Sequence, residues 1–520
     1  MFWADKIEKD LGDKEIINDS KTPSGRVHVG SLRGVVLHYA IYKVLTDAGK
    51  NPTFLYGTDD YDPVDELPHG ISDEWKQYMG MPLCNVPSPE PEKGDNFADY
   101  YINDFIEVFN KLGIKPETYR MSEFYKSGKM NEVIERLLNN EETIREIYFS
   151  VSGSKKPSTW HPFQTVCEKC GKIGTTLVHD FDGKEVEYTC EPKMVKWATG
   201  CGHRGKVSPF DGNGKLPWKL EWVGKWHILG VSVEGAGKDH SSEGGSRDVS
   251  SEIYRRIFDG KPPYNVPYEF FLTGKKKMSS SKGIGSSSRD IAELLPPELL
   301  RFLMMRYAPN AVIDFNPEGD TIPRLFDEYD RCGNLFFGKE KDQSESLERA
   351  FELAQIDQKG LKPRFFPRFS TIATLIQLPG VDLNTKAEEM KMDSLSESDT
   401  KEIELRKTYA EKWLNKCASE NSKFQVMEEL SGDIRNSLSD SQKEFIKTVI
   451  PIFKGESLPG DEIHQKIYEA TQTVGIKPGE GFKTIYQLFI AKNQGPRVGG
   501  FLAALDKSFV LKRFEESLGA

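Results

Sequence analysis

Nowhere in its 520 residues does the chain carry an apolar run approaching 18, so no segment reads as a helix able to span a bilayer. The opening stretch, MFWADKIEKDLGDKE, is charged and lacks the apolar centre of a signal peptide. Cysteine is scarce. Of the seven present, four bunch between Cys167 and Cys201, which points to a metal site in a reducing compartment rather than a disulfide framework. A cytoplasmic location is therefore expected. Positive charge is also in deficit, at 70 Lys and Arg against 80 Asp and Glu for a net −10. That excludes a surface coated in basic charge but leaves nucleic acid open, because local patches decide phosphate binding. Candidate patches are GKKKMSSSKG (Gly274–Gly283), KWLNK (Lys412–Lys416) and VLKRF near the end; each alone also reads as a solvated face.

What is present is ordinary for a globular protein, with 37% hydrophobic and 29% charged residues. The length predicts roughly two to four domains. KEIIND (Lys14–Asp19) reads as a buried strand followed by a glycine turn, and SLRGVVLHYAIYKVLTDAGK as a helix with apolar positions three and four apart, ending at Gly49. NPTFLYGTDDYDP resumes as a strand running into acids. This is a βαβ unit, in which ligands bind beyond the C-terminal strand ends. Residues 97–140 are helical in pattern, interrupted by LGIKPETYR as a return strand; 155–216 are short, Gly-, Cys- and Lys-rich; WHILGVSVEGAGKDH brings back an apolar strand ending in Gly and acid. Residues 340–520 are almost wholly helical in pattern, with no internal repeat and with KMDSLSESDTKE as a polar linker.

Two stretches carry phosphate chemistry. TPSGRVHVGSLRG (Thr22–Gly34) places Pro23, Ser24, Gly25, His28, Gly30 and Ser31 in the turn before a helix. Such a turn serves packing, or it lets backbone N–H groups at a helix N-terminus cradle a phosphate with an imidazole alongside. KKKMSSSKG offers Lys277 and Lys282 around Met278, Ser279, Ser280 and Ser281. It is a basic loop, or a mobile one whose ammonium groups neutralise a polyphosphate while charge shifts between its oxygens.

Together these two stretches resemble the paired signatures of class I aminoacyl-tRNA synthetases, with Ser31 and Ser280 departing from the usual pattern. TDDYDP, KLPWKLEW, EGAGKDHSSEGGS, VPYEFF and GPRVGGFL extend the resemblance to the class I lysyl-tRNA synthetases over residues 19–502. It implies an α/β Rossmann-type catalytic domain and ATP-dependent attachment of L-lysine to tRNA(Lys) through a lysyl-adenylate, with AMP and pyrophosphate released and Mg accompanying ATP. His28, Lys277 and Lys282 would be catalytic. The ATP site would add Pro23, Ser24, Gly25, Gly30, Ser31, Gly237, Asp239, Gly244, Gly245, Met278, Ser279 and Ser281. For the lysine site it implies Ser20 and Thr22 at the amino-acid end, with Trp218, His240 and Tyr268 around the side chain. A pocket for free lysine needs acids at two distances and an aromatic wall for its methylenes. Asp59, Asp60 and Asp62 supply the first, Trp218, Trp222 and Tyr268 the second; any one of these aromatics also reads as core.

Cys167-x2-Cys170 followed by Cys190 and Cys201 fits a structural zinc site with four protein ligands, with His203 as a substitute for one of them. The expected architecture is a Rossmann-type catalytic domain in two halves (1–155 and 217–290) around a zinc-binding insertion (156–216). A helical connector (291–335) and an all-α anticodon-binding domain (336–520) follow, with PRFFPRF (Pro363–Phe369) as a candidate base-stacking element. A monomer is expected. Two rivals remain: a class I synthetase for arginine or glutamate, and a tRNA-binding relative without catalysis. Glutamate is disfavoured by a pocket rich in acids.

Overall fold

A computed structural model describes residues 1–274, 276–277, 287–341 and 345–519, with the backbone alone for Lys276, Lys277 and Glu345. The chain forms two compact units: Met1–Glu293 with Pro297–Asn316 and Lys341–Ile356, and Leu294–Pro296 with Pro317–Glu340 and Asp357–Ala520.

The first unit is built on a parallel sheet. After α1 (Trp3–Glu8), β1 (Ile16–Lys21) pairs in parallel with β2 (Thr53–Thr58), Ile16 opposite Thr53, and β2 pairs in parallel with β3 (Glu117–Arg120). Beyond β1 the sheet continues through single parallel bridges, Ile17 to Val233 and Val233 to Tyr264. Parallel neighbours require crossovers, and α2 (Val29–Asp47) and α3 (Phe97–Lys111) provide them. α2 is apolar nearly all round, with Val29, Leu32, Val35, Val36, Leu37, Ile41 and Leu45 buried, the pattern of a helix enclosed by core. Arg33 projects from it as a clamp. Its guanidinium donates to the carbonyls of Glu269, Pro309 and Ala311 at 2.7, 3.1 and 2.6 Å, tying α2 to the segments that lead up to Phe271 and Ile313.

Three short helices, α4 (Met121–Lys126), α5 (Asn131–Leu138) and α6 (Glu141–Ser152), lead into the Cys-rich stretch. There β4 (Gln164–Thr165) pairs with β8 (Gly214–Lys215), while β5 (Thr176–Phe181), β6 (Val186–Cys190) and β7 (Arg204–Val207) form a small antiparallel sheet. The strand expected in WHILGVSVEGAGKDH begins later than its apolar run. α7 (Trp218–Leu229) takes the WHIL part and stops at left-handed Gly230, after which the extended part returns through parallel bridges from Val233 to Ile17 and Tyr264 and from Gly237 to Tyr268. Trp218, Trp222 and Trp226 recur every four residues and set the helical period that the apolar run concealed. α8 (Lys238–Ser241), α9 (Ser246–Phe258), β9 (Phe271–Thr273) and β10 (Lys276–Lys277) follow. Next come α10 (Ser288–Leu294), α11 (Pro297–Met305) and β11 (Ile313–Asp314), β11 pairing in parallel with β9.

In the second unit, regular elements among the described residues are helical: α12 (Thr321–Phe336) and, after α13 (Glu345–Ala354) of the first unit, α14 (Phe369–Leu375), α15 (Leu383–Lys391), α16 (Glu397–Lys416) and those that follow. The expected linker KMDSLSESDTKE is instead a helix junction. Ser396 caps α16 in a reciprocal box with Asp399, so the polar composition was capping chemistry. PRFFPRF is committed to packing: the Phe365 N–H donates to Asp399 at 2.5 Å, Arg364 pairs with Glu402 at 2.8 Å, and Phe369 is buried on Phe326 and Trp413.

Candidate functional site

The C-terminal ends of β1 and β2 open into a cleft of about 660 Å³, the place where an open α/β sheet binds its ligands. Ser20, Thr22, Ser24, Ser31, Asp59, Trp218, Gly237, His240 and Tyr268 line it, drawn from segments up to 248 positions apart. Pro23 and Gly25 are buried in the turn forming one rim, and Gly30 lies in the first turn of α2. His28 caps the start of α2 in extended backbone and is half-buried beside the cleft rather than in its wall. Its backbone bridges Ser287 in antiparallel fashion, and the Ser288 N–H donates to the Val27 carbonyl at 2.9 Å. The first signature is thus fastened to the residues that follow the second. Lys277 has its backbone in β10, opposite Leu272. Its side chain, together with Met278, Ser279, Ser281 and Lys282, lies outside the described residues.

One wall is aromatic. Trp218, 45% exposed, stands 5.2 Å from the His240 ring and 6.0 Å from Trp222. Gly237 bridges Tyr268 in parallel, and the Lys238 N–H donates to the Tyr268 carbonyl, which fixes that tyrosine against the start of α8. Gly34 allows a close approach here: a Cβ at that position would sit 2.9 Å from both the Tyr268 hydroxyl and Asp19 Oδ2. Gly244 and Gly245 occupy the turn between α8 and α9, Gly244 with φ +67°, and Asp239 is exposed on α8; none of the three is in the cleft wall.

The acids correct the expectation in part. Asp60 does not reach the cleft. Successive strand-end residues point to opposite faces, and Asp60 turns inward to accept from the Ser122 N–H at 2.8 Å and its hydroxyl at 2.6 Å, fully buried. Asp59 does face the cleft, but Lys225 holds it at 2.9 Å, with the Ser20 hydroxyl accepting from the same ammonium at 2.8 Å. Asp62 pairs with Lys215 and accepts from the Thr22 hydroxyl at 2.7 Å. Lys215 also lies 3.1 Å from Glu221, whose other partner is the Tyr125 hydroxyl at 2.7 Å. Lys215, Glu221 and Lys225 have side chains only 2, 3 and 4% exposed. Burial opposes charge on both lysines, and the facing carboxylates override it and raise them above the usual range. Burial would likewise raise Asp62, but Lys215 pulls it below the ordinary carboxylate value. Glu221 is pushed up to about 7 by burial against the pull of Lys215.

Sequence reasoning missed these internal lysines and Glu221. A signal existed: Glu221 and Lys225 stand four apart on a helix that also carries Trp218, Trp222 and Trp226. In all, six carboxylates and three lysines line the cleft, an excess of negative charge.

Apart from the cleft, the Sγ atoms of Cys167, Cys170, Cys190 and Cys201 all lie within 4.8 Å of one another. Cys167 and Cys201 are 3.6 Å apart, Cys170 and Cys190 3.7 Å, and the Cys201 N–H donates to Cys190 Sγ. Four sulfurs around an ion at 2.3 Å form a tetrahedron with edges of about 3.8 Å, so the spacing suits a closed metal site. His203 stands outside this group, 3.9 Å from Glu168 and beside the Tyr188 ring. It does not substitute for a cysteine.

A family model described as tRNA synthetases class I (K) matches residues 1–357. The Lysine--tRNA ligase of Methanosarcina barkeri (strain Fusaro) is 34% identical over 538 residues, covering 99% of this chain and 98% of that protein. Those of Archaeoglobus fulgidus and Thermoplasma volcanium are also 34% identical, over 524 and 523 residues, each covering 100% of this chain and 100% and 99% of their own length. Matched along its whole length by such relatives, and in its sheet-bearing part by the family model, the chain belongs to the class I tRNA synthetases of the K group.

Proposed function

We propose that this protein joins L-lysine to tRNA(Lys) at the expense of ATP. The observation that carries the reading is the cleft: an excess of carboxylates and an aromatic wall on one side, a phosphate-type turn before α2 on the other. Lysine brings two ammonium groups on one apolar stem, and acids with aromatic faces suit both parts. Glutamate would meet like charge there.

The lysine carboxylate attacks the α-phosphorus of ATP in line, and Mg-pyrophosphate leaves. The 2′-hydroxyl of the terminal tRNA adenosine then takes the lysyl group from lysyl-adenylate and AMP departs. His28, with Lys277 and Lys282, stabilises the charge that grows on the phosphate oxygens, a role typically worth about 3 kcal/mol for one well-placed donor. The anchoring of Val27 and His28 to Ser287 and Ser288 supports this convergence. The four cysteines hold a structural zinc that organises the insertion over 156–216, a stretch with little core of its own, and do no chemistry. The helical residues 336–520 read the anticodon, and the enzyme acts in the cytoplasm, in keeping with the lack of a membrane-spanning helix among the described residues.

The test is ATP–pyrophosphate exchange with lysine, arginine and glutamate, each with and without tRNA(Lys). Exchange is expected with lysine alone among the three, and only with tRNA present. Preference for another amino acid would overturn the specificity, no exchange under any condition the catalysis, and full exchange without tRNA the ordering.

A further inference from the structure

Asp19 stands at the end of β1, opposite Tyr56 on β2, in the wall of the cleft. Its side chain is 15% exposed. Every other buried acid there is already matched. Asp59 has Lys225, Asp62 and Glu221 share Lys215, and Glu234 accepts from Asn18 Nδ2 at 2.6 Å and from the indole N–H groups of Trp222 and Trp226. Asp65 is exposed at the rim. Asp19 accepts only the Ser20 N–H at 2.9 Å, and among the described residues no lysine or arginine nitrogen lies within 4 Å of it.

The nearest basic group is His38 Nδ1, 3.8 Å from Asp19 Oδ2. The Gly235 N–H donates to His38 Nε2 at 2.7 Å, so the ring proton sits on Nδ1, where the Gly34 carbonyl takes it at 2.8 Å. That proton is spent on backbone. A buried carboxylate without a counter-ion is costly, and here it opens onto a cavity, within reach of the same point above Gly34 as the Tyr268 hydroxyl. Two residues on and on the same strand face, Lys21 also lines the cleft, with no carboxylate of the described residues within 4 Å. Two rises along a strand separate their Cα atoms by about 7 Å. The α-ammonium of an amino acid shares one carbon with the carboxylate and does not straddle that gap; a terminal ammonium on a four-carbon stem does.

We propose that Asp19 is a specificity-determining residue that binds the side-chain ammonium of the amino-acid substrate, beside the Tyr268 hydroxyl, with Lys21 facing the carboxylate end. This rests on the lysine reading above. Burial supports it by pushing Asp19 up to about 6, against His38 and with Glu234. The charged or titratable groups facing Asp19 are His38 from α2, Tyr56 from β2, Lys21 from β1, Glu234 ahead of α8 and Tyr268 ahead of β9.

The experiment compares wild type, Asp19→Asn and Asp19→Glu in tRNA-supported pyrophosphate exchange, with lysine and norleucine as substrates. Asp19→Asn keeps the acceptor for Ser20 and is expected to raise the lysine KM on the order of 10- to 100-fold, leave the ATP KM unchanged and erase the preference for lysine over norleucine. Asp19→Glu is expected to restore part of that preference. The wild-type lysine KM rises as pH falls through about 6, when Asp19 takes up its proton, and Asp19→Asn lacks that rise. A wild type inactive with lysine would sink the functional reading itself. An active wild type with an unaltered lysine KM in Asp19→Asn, or an equal loss for both substrates and for ATP, would overturn the role of Asp19 alone. Should Asp19→Asn fail to fold, the wild-type pH profile for lysine against norleucine decides, and parallel profiles count against the proposal.

Discussion

Arg406 in the helical unit and Lys225 in the cleft are both buried cations held by carboxylates, yet their surroundings differ. Arg406 is fully enclosed. It bonds Glu402 at 2.8 Å, both oxygens of Asp330 and the Pro367 carbonyl, and lies over the rings of Phe326 and Phe366. Arg364 takes the other oxygen of Glu402 at 2.8 Å. Charges there are matched and sealed. Around Lys225 the pairing is close but incomplete: Asp59 and Ser20 are satisfied, while among the described residues Asp19 has no lysine or arginine nitrogen, and Lys21 no carboxylate, within 4 Å. A closed network of this kind is scaffold, whereas surplus charge beside a cavity marks the place a ligand completes.

The comparison can be broken from either side. The largest effect is expected at Arg406→Met, which strands Asp330 without a counter-ion, leaves Glu402 to Arg364 alone and costs about 3–5 kcal/mol in denaturant unfolding; a loss under about 1 kcal/mol would show that water reaches Asp330. Lys225→Met is expected to cost only about 1–2 kcal/mol, because the cleft lets water solvate Asp59, while kcat/KM for lysine in pyrophosphate exchange drops about 100-fold. Equal destabilisation by the two variants would erase the distinction. The smallest effect is at Asp399→Asn. Burial would raise that carboxyl, but the N–H groups of Phe365 and Ser396, the Ser396 hydroxyl and Lys391 hold it well below the usual range. A depressed folded value means stability present above the unfolded pKa and lost as pH falls toward the folded one. The variant is therefore expected to lose about 1 kcal/mol at pH 7, with the gap narrowing below about pH 4 in thermal melts.

Much of the site was legible because its chemistry is local. The turn from Thr22 to Gly30 announces itself through Pro and Gly, and the cysteine spacing through its own repeat. Where the reading went astray, tertiary packing had the deciding vote. The apolar run WHIL resembles a strand until the four-residue recurrence of Trp218, Trp222 and Trp226 is placed on a helix. Asp59 and Asp60 are adjacent and chemically identical, and only the alternation of the strand end sends one to the cleft and the other to Ser122. Lys215 and Lys225 were invisible as site residues because a lysine in sequence reads as solvated. Their partners Asp62 and Asp59 lie 153 and 166 positions away, beyond what the local spacing of Glu221 and Lys225 can encode.

The bare α-carbon at Gly34 has a wider consequence. The atoms a methyl group would strike there are the tips of two side chains rather than backbone, so the helix itself would tolerate alanine while the carboxylate and the phenol gave way. One of the smallest changes the genetic code permits, made inside the helix whose first turn borders the cleft, would therefore displace the Asp19 carboxylate and the Tyr268 phenol from the cleft wall while the architecture stands.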